Sequence, residues 1–171
     1  MEDVGATWSG LYLTTDLGGA AAIASFGFVA LQASQTLGRF AGDGLVTRFG
    51  DRTVARVGAA LAGLAMTAAL LLPSVVTTIA ALAVVGLGIG TLIPGAIRTA
   101  EALPGVAPGV GIAWVATTMR VTLLLSPPLI GAVADLFSLR VAFGIVPLAA
   151  AAILLLSRAL GTTPIARAAG E

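Results

Sequence analysis

Long apolar runs separated by short polar islands set the layout of this chain. A helix needs roughly 20 apolar residues to cross hydrocarbon, at about 1.5 Å per residue against a core near 30 Å thick. Residues 75–97, VVTTIAALAVVGLGIGTLIPGAI, carry no charge and form the clearest such run. The pattern predicts four more spans, over about 18–41, 53–72, 108–134 and 140–159. The second of these has Arg56 close enough to its end to snorkel, and the third is interrupted by Arg120 and by Pro127-Pro128. Residues 4–16 read as a partial helix, with Trp8 and Tyr12 four apart on one face, a spacing that suits an interfacial aromatic belt. The island at 42–52 reads as a loop, and 160–171 as a polar tail.

Composition shows which solvent this pattern is built for. Of the 171 residues, 58% are hydrophobic and 10% charged, against a soluble norm of about 45–50% apolar and about 25% charged. Such a chain has too little polar surface to cover itself in water, so lipid bilayer is its expected environment. It has no cysteine and no histidine. Disulfides and thiolate metal sites are therefore excluded, as are the usual general base and zinc ligand. With no Ser-His pair possible, and with Asp43 and Asp135 expected on opposite sides of the membrane, no catalytic constellation remains. The expectation is no enzyme, no cofactor and no metal. GLGIG at 86–90 is no nucleotide loop either, because no strand precedes it. Gly88, Thr91 and Gly95 instead form a small-residue face for close helix packing, and Pro94 permits a kink.

All nine basic residues are arginines, and their placement suggests an orientation. Arg39, Arg48, Arg52, Arg56, Arg98, Arg158 and Arg167 fall on one side of the predicted spans, and only Arg140 on the other. By the positive-inside rule the 42–52 loop and the C-terminus are cytoplasmic and the turn at Asp16 extracytoplasmic. The arginines form no stripe, so no nucleic-acid partner is expected.

Residues 38–52, GRFAGDGLVTRFGDR, are the most particular of the islands. Gly42, Gly44 and Gly50 permit positive φ and close helix approach, Arg39 and Asp43 are four apart, and so are Arg48 and Arg52. The stretch resembles the loop that links the second and third helices of each six-helix half in the major facilitator superfamily. Arg48, Phe49, Gly50 and Arg52 match that pattern, while Thr47 and Asp51 stand where it has an aspartate and a basic residue. EDVGATWSGLYL resembles the seventh helix of bacterial facilitators related to the fucose-permease group, with an acidic residue six before a tryptophan. PPLIG at 127–131 followed by Ala134-Asp135 resembles the end of the eleventh helix, and Ser138-Leu139-Arg140 the start of the twelfth.

The resemblance implies an all-α polytopic transmembrane bundle, a facilitator half-fold with five full spans after a truncated seventh helix, in the bacterial inner membrane. It implies transport of a small-molecule substrate by alternating access, with proton coupling at Glu2 or Asp3. It also implies a partner, either a missing N-terminal half or a second copy of the chain. The gate-loop residues carried over are Gly42, Asp43, Arg48, Gly50 and Arg52. Ser25, Gln32 and Thr36 make one polar stripe at helical spacing, and Ala113, Thr117 and Arg120 another. A mid-span charge costs about 2.5–3.5 kcal/mol on insertion scales, so Arg120 is expected to face a cavity or a carboxylate. It reads as binding substrate, as switching with Glu2, or as a structural ion pair. Trp114 reads as a stacking platform for substrate or as a packing residue. A half-size homodimer or accessory subunit without transport of its own is the competing expectation.

Overall fold

A computed structural model describes residues 4–102, 105 and 107–157. Every element is helical, and no strand occurs among the described residues. Helix α1 (4–16) consists of the turns Val4–Trp8, Ser9–Leu11 and Tyr12–Asp16, wound wider than an α-helix at both ends. Its last turn closes with a Leu17 amide bonded to the Tyr12 carbonyl, five residues back. A short turn at Ala21–Ile23 leads into α2 (Ala24–Phe49), α3 (Asp51–Leu71), α4 (Val75–Ile89), α5 (Leu92–Glu101), α6 (Val110–Leu136), α7 (Leu139–Phe143) and α8 (Ile145–Leu156). Four helical stretches, 51–71, 75–101, 110–136 and 139–156, are long and apolar enough to cross a membrane. Helix α2 spans 26 residues, and its second half carries Arg39, Asp43 and Arg48.

The turns follow from local chemistry. Ser74 caps α4 in a reciprocal box: its hydroxyl accepts from the Thr77 amide, and the Thr77 hydroxyl accepts from the Ser74 amide, each at 3.1 Å. Ser138 caps α7 by accepting from the Val141 amide at 3.2 Å. Arg140 reaches across to α3, donating from Nε to the Leu70 carbonyl at 3.0 Å and from Nη2 to the same oxygen. This satisfies one of the orphan carbonyls at the end of α3 and ties α7 to it.

The predicted loop at 42–52 is not a loop. Helix α2 runs on to Phe49, Gly50 alone breaks the chain (φ 81°, ψ 154°), and α3 starts at the next residue. The reason lies in packing: Gly42 and Val46 are buried on the face that meets α4–α5, so this part of the chain makes its contacts as a helix. Of the three glycines proposed to take positive φ, Gly50 does so. Gly42 serves close approach, and Gly44 faces open space. Pro127 and Pro128, read as an interruption, lie inside the continuous helix α6. The run at 75–97 instead breaks at Gly90-Thr91, which places Pro94 in the first turn of α5, where its missing amide costs little.

Helix α4 is the centre of the bundle, wedged between α2 and α3 by small residues. A Cβ added at Gly38 would lie 2.7 Å from the Leu87 carbonyl, and one at Gly90 2.8 Å from the Gln35 carbonyl. On the opposite face a Cβ at Gly58 would lie 2.7 Å from the Gly88 carbonyl. GLGIG thus serves two faces: Gly86 and Gly90 meet α2, and Gly88 meets α3. The single face proposed for Gly88, Thr91 and Gly95 is divided accordingly, with Gly88 on Gly58, Thr91 on Gly42 and Gly95 beside Asp51. Lipid supplies no hydrophobic drive for helices to associate, so this backbone-to-backbone approach is what holds the three together. Around it Leu31, Met66, Leu82, Val85, Phe143 and Val146 fill the core.

Candidate functional site

Helix α6 hardly packs against the rest of the chain. Only 6% of its most apolar window is buried, against 44% for the 75–101 stretch. Trp114 is 71% exposed, and Thr117 and Arg120 are exposed with it, so the second polar stripe faces outward as a set. Among the described residues no carboxylate, carbonyl or hydroxyl accepts a hydrogen bond from Arg120. Glu2 and Asp3, its proposed partners, lie outside the described residues. The N-terminal turn Val4–Trp8 does run against α6: a Cβ on Gly131 would lie 3.6 Å from Cη2 of Trp8.

The first stripe is split. Ser25 and Thr36 are exposed, and the Thr36 hydroxyl is turned back onto the Gln32 carbonyl at 2.8 Å. Gln32 is half-buried, with Oε1 enclosed and unpartnered, and the amide nitrogen of buried Gln35 is likewise unpartnered. An unsatisfied buried polar atom costs about 1–3 kcal/mol, so these two side chains mark where a polar partner would be most stabilising. Trp8 and Tyr12 do not form an interfacial belt. Trp8 is half-buried beside α6, and Tyr12 is 1% exposed with its ring tilted 30° on Phe143 at a centroid distance of 4.9 Å. Helix α1 is enclosed by α2, α6 and α7, which turns both rings inward.

At the other end of the bundle, the glycine-and-arginine stretch is organised around an ion pair. Arg98, near the end of α5, donates from Nη2 to Oδ1 of Asp51 at 2.5 Å and from Nε to Oδ2 at 3.3 Å. Arg52 and Arg56, one turn apart, border a cleft of about 310 Å³ with Thr53 and Val57, and Nε of Arg52 is buried without an acceptor. Asp43 is exposed, and its carbonyl receives the Thr47 hydroxyl at 2.7 Å. Arg48 is exposed and lies 5.3 Å from the ring of its neighbour Phe49.

The family model for the Major Facilitator Superfamily matches residues 3–170 of this helical chain. The chain belongs to the Major Facilitator Superfamily. Members of this superfamily are membrane transporters and not enzymes, so the helices described above are those of an integral membrane protein with a transporter role. No individually curated protein matches the sequence.

In this facilitator chain two tertiary contacts are not visible in the linear sequence. Asp51 registers in the sequence as a departure from the loop pattern, yet it forms the one salt bridge among the described residues, with a partner 47 positions away. The second is the gathering of Tyr12, Asp16 and Arg140 at the opposite end of the bundle. The available signals were Asp51 in the first turn of α3 and Arg98 in the last turn of α5, each on the side that complements its helix dipole.

The Asp51–Arg98 pair is partly exposed, which limits its worth. Asp51→Asn is expected to lower stability by at most about 1 kcal/mol. The loss shrinks in 1 M salt, where the screening length falls to about 3 Å. Thermal unfolding in detergent at two salt concentrations checks this, and a salt-independent loss would point to packing instead of charge.

Proposed function

We propose that this chain is the C-terminal half of a proton-coupled facilitator related to the bacterial fucose-permease group, moving a small solute by alternating access. The observation that carries the reading is α6: a membrane-length helix with an apolar and polar face left bare, and near its middle an arginine with no acceptor among the described residues. Such a face is costly in lipid and favourable at the seam between two halves, where facilitators hold substrate near the midplane. In that arrangement Arg120, Thr117, Trp114 and Gln32 line the cavity. Glu2 or Asp3 takes up and releases the coupled proton, since the chain has no histidine. The arginine count places the Asp51 end of the bundle and the C-terminus in the cytoplasm and the Asp16 turn outside, in the inner membrane. The segment Gly42, Asp43, Arg48, Gly50 and Arg52, with the Asp51–Arg98 pair, then acts at the cytoplasmic gate.

The test is made in proteoliposomes carrying the chain with its complementary six-helix half. Solute addition is expected to drive proton movement across the vesicle wall. Glu2→Gln or Asp3→Asn is expected to abolish that movement while solute exchange between the two sides continues. Proton movement that survives both substitutions would exclude this coupling site. The bare face of α6 also suits a second copy of the chain. Single-molecule subunit counting separates the readings: pairs of identical chains that transport without any other component favour the homodimer.

A further inference from the structure

At the Asp16 end of the bundle, the ends of α1, α3 and α7 border an open cleft of about 400 Å³ lined by Tyr12, Asp16, Leu17, Pro73, Ser138 and Arg140. That volume lies within the ordinary range of small-molecule sites. The pocket is independent of the bare face of α6 and of the transport reading.

Three features point to a ligand with two separated charges. The hydroxyl of Tyr12 is buried and unpartnered, on a side chain only 1% exposed. Asp16 and Arg140 line the same cleft with opposite charges and form no ion pair with each other, so each keeps hydrogen-bonding capacity for a ligand. Arg140 is held in place by the Leu70 carbonyl, while the Thr15 hydroxyl beside Asp16 gives its single proton to the nearer Leu11 carbonyl at 2.7 Å, which leaves the Asp16 carboxylate able to accept. Ser138 receives the Val141 amide and keeps its own proton to donate. The cavity therefore offers a cluster of donors around Arg140, Ser138 and Tyr12, and an acceptor at Asp16.

We infer that this pocket binds an ethanolamine phosphate zwitterion, with the phosphate on Arg140, Ser138 and Tyr12 and the primary ammonium on Asp16. A guanidinium matches phosphate geometry, and a carboxylate accepts from an ammonium that carries N–H groups. A quaternary choline has none to donate. It is recognised by open aromatic faces, and the Tyr12 ring is engaged with Phe143. The lipid headgroup is the source at hand. The rim residues Pro73 and Ser138 follow directly on Leu71, Leu72, Leu136 and Phe137, all of them largely exposed, and these give acyl chains an apolar surface to lie along.

Native mass spectrometry of the purified full chain in detergent, titrated with phosphatidylethanolamine or phosphatidylcholine, tests this. Ethanolamine lipid is expected to bind at least about tenfold more tightly, the margin of one charge-assisted contact. Asp16→Asn is expected to erase that preference. Tyr12→Phe, which keeps the ring on Phe143, is expected to weaken ethanolamine lipid several-fold. Soluble O-phosphoethanolamine distinguishes the sources. If it displaces the lipid, the headgroup alone is the ligand and the free zwitterion an equal source; if it does not, the bilayer is the source. Equal binding of the two lipids by the wild-type chain would overturn the inference, as would a preference that survives Asp16→Asn. Arg140→Gln, which also removes the tie to Leu70, is read alongside Asp16→Asn and not alone.

Discussion

Gly86→Ala is expected to destabilise the bundle by about 1–3 kcal/mol, the usual range for overpacking. Within an ordinary helix the same change would be favourable by about 0.8–1.0 kcal/mol, because alanine is the better helix former. Here the new Cβ falls against the Leu31 carbonyl and the Ser34 hydroxyl, and lies 3.0 Å from the Gln35 amide. Two of those three atoms are backbone, so α2 and α4 have to move apart along their whole contact. Gly44→Ala makes the opposite prediction. Gly44 is helical and has nothing within 4 Å of its added Cβ, so alanine there is expected to raise stability by up to about 1 kcal/mol. Thermal unfolding of the two variants in the same detergent checks both signs. A Gly86→Ala protein as stable as wild type would show that the α2–α4 crossing is looser than described.

Arg120→Gln is expected to reduce solute uptake by about 10–100-fold in vesicles containing the complete transporter. That range corresponds to losing a hydrogen-bonded charge contact of about 1.5–3 kcal/mol. The same substitution is expected to leave the amount of folded protein unchanged or to raise it. An arginine near the middle of a lipid-length helix, with no acceptor among the described residues, is itself costly, and glutamine removes the charge. Loss of uptake without loss of folding separates a residue that serves substrate or coupling from a structural ion pair, whose removal would lower both. Undiminished uptake would take Arg120 out of the site.

How much of this was legible beforehand differs from residue to residue. The run at 75–97 announces itself by having no charge over a span length, and the structure carries it on to 101 with one break. The island at 42–52 misled because glycine and charge together read as a turn. A helix whose glycines are used for contact has the same composition as a loop whose glycines are used for φ, and only the neighbour decides between them. GLGIG reads as a packing segment from its place inside an uncharged run, but its division between α2 and α3 depends on the direction from which each partner approaches. Arg120 and Thr117 kept their predicted register, because i, i+3 spacing is a property of the helix itself.

By itself, the sequence of this protein determined that it is a helical membrane chain, where its apolar runs lie, and which residues match the facilitator loop. These are properties of length, hydropathy and spacing, each set within one segment. The tertiary structure alone decided that Gly86 and Gly88 meet opposite neighbours, that Asp51 pairs with Arg98, and that Tyr12, Asp16 and Arg140 border one pocket. Each of these joins positions tens of residues apart. Which distant partners meet depends on how whole helices pack, and no local stretch of chain encodes that.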